Sequence, residues 1–279
     1  MTTAQKIIKY LAIAFAIFLI VTIISAILGT LFALSGILGL KKDIEENLNI
    51  QMVTTNFENN DIKTLNIEIA FTNLTIKTGD TIKIETDNNN VNFKQENQKL
   101  EIKEKNRKWF SNYEEKQLIL YLPESLEFEK IKINAGAGKI NIDKINTHNL
   151  KFDLGAGETE IHELIVLDDC EIEGGAGKLS IRNGEINDLD LDMGVGETNL
   201  TSNLTGKSEI NAGIGNLNIN LQGEKQSYKI QADKGLGSIK IDRKEISSGE
   251  IFGDGQNYIE IDGGIGNIDI NFTKHNKGE

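Results

Sequence analysis

The chain has 279 residues, with 30 Lys plus Arg against 42 Asp plus Glu for a net charge of −12, and it carries one cysteine, one proline, 27 glycines and only 6% aromatic residues. The lone Cys170 rules out an intrachain disulfide, and so acidic a chain repels the nucleic-acid backbone, so no nucleic-acid partner is expected. With so few rings, a core must be stacked from many small aliphatic layers, which favours a repeat over a compact domain.

Residues 1–42 hold four lysines (Lys6, Lys9, Lys41, Lys42) and no acid, and from Tyr10 to Leu40 there are 31 consecutive uncharged positions. A bilayer core needs about 20 such residues, so this stretch is expected to be one N-terminal transmembrane helix with the lipid bilayer as its partner. No cleavage site follows it, which argues for an uncleaved anchor rather than a signal peptide. The short flank in front and the acidic chain behind favour a single-pass protein of the cell membrane with its domain outside. Ser25, Gly29 and Ala33 lie four apart on one helix face, which would permit an oligomer through that helix.

Residues 43–60 are polar and read as a juxtamembrane linker. Over 61–130, Leu65, Ile67 and Ile69 alternate with polar residues, as do Leu74 and Ile76, Ile82 and Ile84, Leu100 and Ile102, and Leu118 to Leu122. These are expected to be irregular strands that cap the array to come.

From 131 to 272 the chain repeats itself. Seven segments carry Gly-x-Gly with first glycines at 136, 155, 175, 194, 213, 235 and 264, at gaps of 19, 20, 19, 19, 22 and 29. Apolar residues alternate before each glycine pair, as in Ile131, Ile133, Ala135 and Ala137, and resume one position out of step after it, at Ile140 and Ile142. Period-two alternation is that of a half-buried strand, and a parity shift at glycine marks a bend. Each unit is therefore strand, glycine bend, strand, turn, and stacked units would bury a ribbon of Ile and Leu that no single unit could. The fold class is all-β: a single-stranded β-helix (β-solenoid) of about 19–20 residues per coil, preceded by the membrane helix. A 39-residue coil is the competing geometry, because Gly-Ala-Gly-Glu-Thr at 155 recurs as Gly-Val-Gly-Glu-Thr at 194. In the short coil the residues after the bends (Lys139, Glu158, Lys178, Glu197, then Asn216 and Ser238) alternate in charge, whereas the long coil stacks like on like. Cys170 shares the slot of Leu150 and Leu189 and is expected in the core. The polar tail 273–279 would shield the last strand edge.

The strand pair Leu65–Ile76, the segment ending Leu120-Tyr121-Leu122-Pro123, and the string of Gly-x-Gly units resemble the bacterial putative-adhesin family of membrane-tethered β-strand-repeat domains, over roughly Asn60 to Phe272. The resemblance implies a single-stranded β-helix, in some members a link to envelope-stress signalling, and no catalytic residues to carry over.

No chemistry emerges from the motifs. A dinucleotide loop needs a third glycine and a following helix, and here every Gly-x-Gly leads into a strand. The calcium-binding repeat Gly-Gly-x-Gly-x-Asp is opened by Gly174 and by Gly263, but Leu179 and Ile268 stand where its carboxylate belongs. His148, His162 and His275 have no zinc spacing. Neither cofactor, metal nor catalytic residue is therefore expected. Asp153, Glu173 and Asp192 fall two residues before successive Gly-x-Gly motifs, with Glu171 and Asp190 beside the last two. These five form a candidate interaction patch on the outer face. The reading is a non-catalytic, membrane-anchored envelope protein that offers an acidic solenoid for protein contacts or envelope-stress signalling. An adhesive or glycan-binding surface protein is the first alternative, with Trp109 and Phe110 as its aromatic pair. A β-helix polysaccharide lyase or hydrolase is the second, and the short, even turns leave it no cleft walls.

Overall fold

The computed structural model describes residues 53–56, 61–105, 115–233 and 235–273. The expected span Tyr10–Leu40, most of the linker, the loop with Trp109 and Phe110 and the tail 274–279 lie outside the described residues. Among those described, no helix is long and apolar enough to cross a membrane.

The described residues form strands joined in one sheet that winds as a β-solenoid. Its registers are parallel from coil to coil: Lys178 lies beside Glu158 on one side and Glu197 on the other, and Glu197 beside Asn216. Those offsets are one coil of 19–20 residues, so the 39-residue geometry does not occur. Alternate side chains line the interior in columns, one running Leu200, Ile219, Ile270, Ile241, all at most 2% exposed. Each such aliphatic side chain contributes about 1.5–3 kcal/mol on burial. Cys170 is buried in register with Leu189, and loss of solvation pushes its thiol well above the ordinary range, so it packs as a small hydrophobe.

The order of the rungs departs from the order of the chain at both ends. Thr64–Ile69 and Thr72–Gly79 form one rung, the first along the chain. It pairs on one side with Lys99–Glu104 and Lys116–Pro123 and on the other with the coil at 131–142. The first coil thus sits second, and the later strands at 99–123 occupy the tip. The far end mirrors this. Asn257–Asp262 and Ile268–Thr273, last in sequence, lie between Lys207–Asn211 with Ile214–Gln222 on one side and Tyr228–Asp233 with Ile239–Ile241 on the other. The chain skips a rung after Gln222, builds the terminal one, then returns to fill the gap. The expected serial stacking is therefore corrected for the last two coils, and the final strand is gripped on both sides rather than left as an edge for the tail to shield. Antiparallel strands cover the tips instead: Lys83–Thr86 and Val91–Glu96 at one, Lys244–Glu245 and Ile251–Phe252 at the other. Short antiparallel covers of this kind blunt a sheet edge against further pairing. Nine rungs result among the described residues, an axial length of about 38 Å at a strand spacing of about 4.8 Å.

The Gly-x-Gly bends stack into two glycine columns. At the second glycine the backbone is left-handed, with φ +146° at Gly196, and a Cβ there would lie 1.7 Å from the carbonyl oxygen of Gly177 one rung below. Only glycine meets both demands there, and the first glycines recur for the close approach alone, a Cβ on Gly194 lying 1.8 Å from Gly175 O.

Candidate functional site

Two outward columns run side by side before the bends. In one, Glu171, Asp190, Glu209 and Glu260 occupy successive rungs, followed by Gln231. In the other, Glu173, Asp192, Asn211, Asp262 and Asp233 follow one another, with Asp153 one rung before Glu173. All five residues of the expected patch thus meet on one face. The face also extends beyond them to Glu209, Glu260, Asp262 and Asp233.

Cations collect at one end of this face. Lys151 reaches Glu171, Glu173 at 3.1 Å and Asp153 at 3.6 Å, and Lys132 reaches Asp153 at 3.5 Å. The surrounding carboxylates hold the Lys151 ammonium well above its ordinary range. Further along, Lys207 pairs with Glu209 and the Asn211 amide donates to Asp192 at 2.6 Å. No ion pair reaches Asp190 among the described residues. Partial burial, then Asp192, Glu209, Glu171 and Glu173, raise its carboxyl above the usual range. The centre of the face is therefore a field of carboxylates that its own lysines neutralise only in part. Among the described residues no group of His, Cys, Asp or Glu has the closeness to hold a metal ion.

At the bend beside this face, the middle residues of the Gly-x-Gly units stack in a column of their own: Ala156, Ala176, Val195, Ile214, Ile265, Leu236, with Ala137 at its start. The backbone bonds run straight through it, from Val195 N–H to Gly175 O, Ile214 N–H to Gly194 O and Ile265 N–H to Gly213 O, at 2.8, 2.9 and 2.8 Å. Ala137, expected among the inward residues, belongs to this outer edge and is only partly buried. Val195, Ile265 and Leu236 are 54%, 39% and 65% exposed, a concentration of bare aliphatic surface at one edge. Beyond the second glycines runs the alternating column Glu158, Lys178, Glu197, then Asn216 and Asn267.

On the side after the bends, the non-serial threading creates a cleft of about 900 Å³. The outgoing turn through Gly223, Glu224 and Ser227 and the incoming Gln256 and Asn257 border it, facing Asn183, Glu185, Asn203 and Gln222. The expectation of no cleft walls is thus corrected, because the chain must climb past a rung in both directions. Amides, hydroxyls and carboxylates line the cleft together with Ile165 and bare glycine backbone, without a basic or aromatic side chain, and the buried Gln222 Oε1 has no hydrogen-bond partner.

The acids missed at sequence level, Glu209, Glu260, Asp262 and Asp233, stand in the same slots of their segments as Glu171 and Glu173, so aligning all seven segments would have found them. The apolar edge had a signal too, the enlargement of the middle residue from Ala to Val, Ile and Leu.

The family model of Toastrack DUF4097 matches residues 62–251. Among solved structures, the chain is similar to a putative cell adhesion protein of Clostridium sporogenes (16% identity, 80% of this chain and 99% of that one, TM-score 0.34). A putative adhesin of Bacteroides fragilis is similar at 10% identity, over 79% of this chain and 97% of that one, with a TM-score of 0.41. A putative lipid binding protein of Parabacteroides distasonis is similar at 13% identity, over 79% and 97%, with a TM-score of 0.36. No curated protein matches.

Proposed function

The chain belongs to the Toastrack DUF4097 family, and from that premise we propose that it is a non-catalytic, membrane-tethered protein of the cell envelope. Its acidic face receives a basic protein partner in envelope-stress signalling. The observation that carries the reading is the run of carboxylates Glu171, Asp190, Glu209 and Glu260, about 4.8 Å apart, in which Lys151 pairs with Glu171 and Lys207 with Glu209 while no ion pair reaches Asp190 or Glu260 among the described residues. Rows of like charge destabilise a sheet unless something outside it supplies the opposite sign. The uncharged stretch Tyr10–Leu40 supplies the tether. The test is a cross-linking pull-down from intact cells with the whole chain. A basic envelope protein should be captured in low salt, lost at about 0.5 M salt where screening shortens to a few ångströms, and lost with D190K/E209K. Unchanged capture by D190K/E209K would overturn the role of the face. Alkaline extraction should leave the chain in the membrane fraction, and protease added outside should digest the solenoid.

The polar cleft favours a second reading, adhesion to a glycan, since the amides and carboxylates of its lining offer acceptors for hydroxyl donors. Binding of cell-wall polysaccharide that Q222L and N203L abolish would support it. Release of reducing ends from that polysaccharide would point instead to an enzyme.

A further inference from the structure

The cleft on the side after the bends carries charge of one sign only. Glu163, Glu185 and Glu224 border it, and no basic side chain does. Glu163 is matched by Lys144, which stands outside the lining, at 3.1 Å. Glu185 and Glu224 are exposed, and no ion pair reaches either among the described residues.

These two carboxylates do not converge. Glu185 adjoins Asn203 on the next rung, and Ser202 adjoins Leu221 on the one after. Glu185 and the turn at Glu224 therefore lie two rungs apart, roughly 10 Å along the solenoid. Among the described residues no group of carboxylates is close enough to hold a metal ion. The charge to be met is thus spread along the cleft, and a single small cation cannot meet it. An extended molecule with more than one positive group can.

We propose that the cleft binds an oligosaccharide whose sugars carry free amino groups. This rests on the reading of the cleft as a glycan site and names the class of glycan. Sign selects the amine. Sugar ammonium groups form charge-assisted hydrogen bonds with Glu185 and Glu224, whereas uronic or phosphorylated sugars are repelled. A neutral sugar leaves both carboxylates without a counter-charge and finds no aromatic ring to lie against.

The rest of the lining selects a sugar over a bare aliphatic polyamine. Asn203 Oδ1 accepts from the Tyr228 hydroxyl at 3.0 Å, which leaves its Nδ2 as a donor, and Gln256 and Asn257 add further amide donors. Hydroxyls accept from such groups. A charged polyamine has no acceptor to offer, and it would set its methylenes against polar walls in which Ile165 is the one large aliphatic side chain. The volume of about 900 Å³ lies in the range of small-molecule sites. Solvent reaches both carboxylates, so the charge pairs are screened and the affinity is weak and salt-dependent.

Titration calorimetry of the whole chain in mild acid, where sugar amines carry a proton, tests this. A glucosamine tetramer should bind, and the N-acetylglucosamine tetramer should bind about tenfold more weakly. E185Q/E224Q, at two exposed side chains unpaired in the fold, should lower the affinity for the glucosamine tetramer by about tenfold. D190N/E209Q removes the same charge from the acidic face and should leave that affinity nearly unchanged. Equal losses from the two double variants would overturn the proposal, as would indifference to E185Q/E224Q or equally tight binding of spermidine. Equal binding of the two tetramers would overturn the amine and leave the glycan reading standing. Binding of neither tetramer would remove both.

Discussion

Replacing Gly196 by alanine tests the stacked bends directly. The new Cβ would stand 1.7 Å from Gly177 O and 2.8 Å from Gly177 C, both backbone atoms that cannot swing aside. Relief requires the two rungs to part by more than an ångström at that bend, which breaks the 2.8 Å bond from Val195 N–H to Gly175 O and weakens its neighbour. Two ladder bonds are worth about 2 kcal/mol net, and holding alanine at φ +146° adds about 1–3 kcal/mol. The sum, about 3–5 kcal/mol, corresponds to a fall in melting temperature of roughly 10 °C for a domain of this size. G194A separates the two causes. Its Cβ would meet Gly175 O at 1.8 Å, but its φ is not left-handed, so it should lose the clash cost without the strain. V195A, between them, should shift stability by less than about 0.5 kcal/mol because it leaves both columns intact. Urea titrations followed by far-UV circular dichroism measure all three. G196A within about 1 kcal/mol of the parent would refute the stacking argument.

K178E exchanges two attractive neighbours, Glu158 and Glu197, for repulsive ones. It should lower the melting temperature by a few degrees in dilute buffer and by less in high salt, since exposed pairs contribute about 0.2–1 kcal/mol each. D190N should raise stability at neutral pH. Because the folded state holds the Asp190 proton above the unfolded range, the parent gains stability on acidification and loses it as pH rises through the folded pKa. The advantage of D190N should therefore shrink as pH falls, and a gain that is flat from pH 4 to 8 would contradict the cause given. His148 lies 2.9 Å from Asp168 and 3.2 Å from Glu127, and the hydrogen bond with Asp168, more than that with Glu127, raises its pKa. Its contribution is present below the unfolded histidine range and lost as pH rises through the folded value, so H148Q should matter in mild acid and not at pH 8, as melting curves at the two pH values would show.

The rungs themselves were legible because the parity shift at each Gly-x-Gly fixes which residues face inward, and one coil length reconciles the charges of Glu158, Lys178 and Glu197. The order of stacking was not. Ser208, Ile259 and Ile230 fill the same interior slot, and nothing in that slot distinguishes which rung lies next to which. The signal was in the connections, since gaps of 22 and 29 residues exceed what a step to the next rung needs. Half of the acidic face stayed hidden for the same reason, because Glu260 adjoins Glu209 only once the last coil has been slipped between its predecessors. Ala137 was assigned inward because alanine is too small to show which side of a bend it occupies.

That threading bears on how the molecule carries load. In a solenoid whose ends lie at its tips, a pull on either terminus peels the outermost rung away one bond at a time, like a zip. Here the last described strands, Asn257–Asp262 and Ile268–Thr273, lie one rung short of the tip, clamped between two others, so a pull on that end must shear them against neighbours on both sides and break many bonds together. The fold is hemmed at that end. For a solenoid pulled from that end, the hem makes the difference between unravelling and holding.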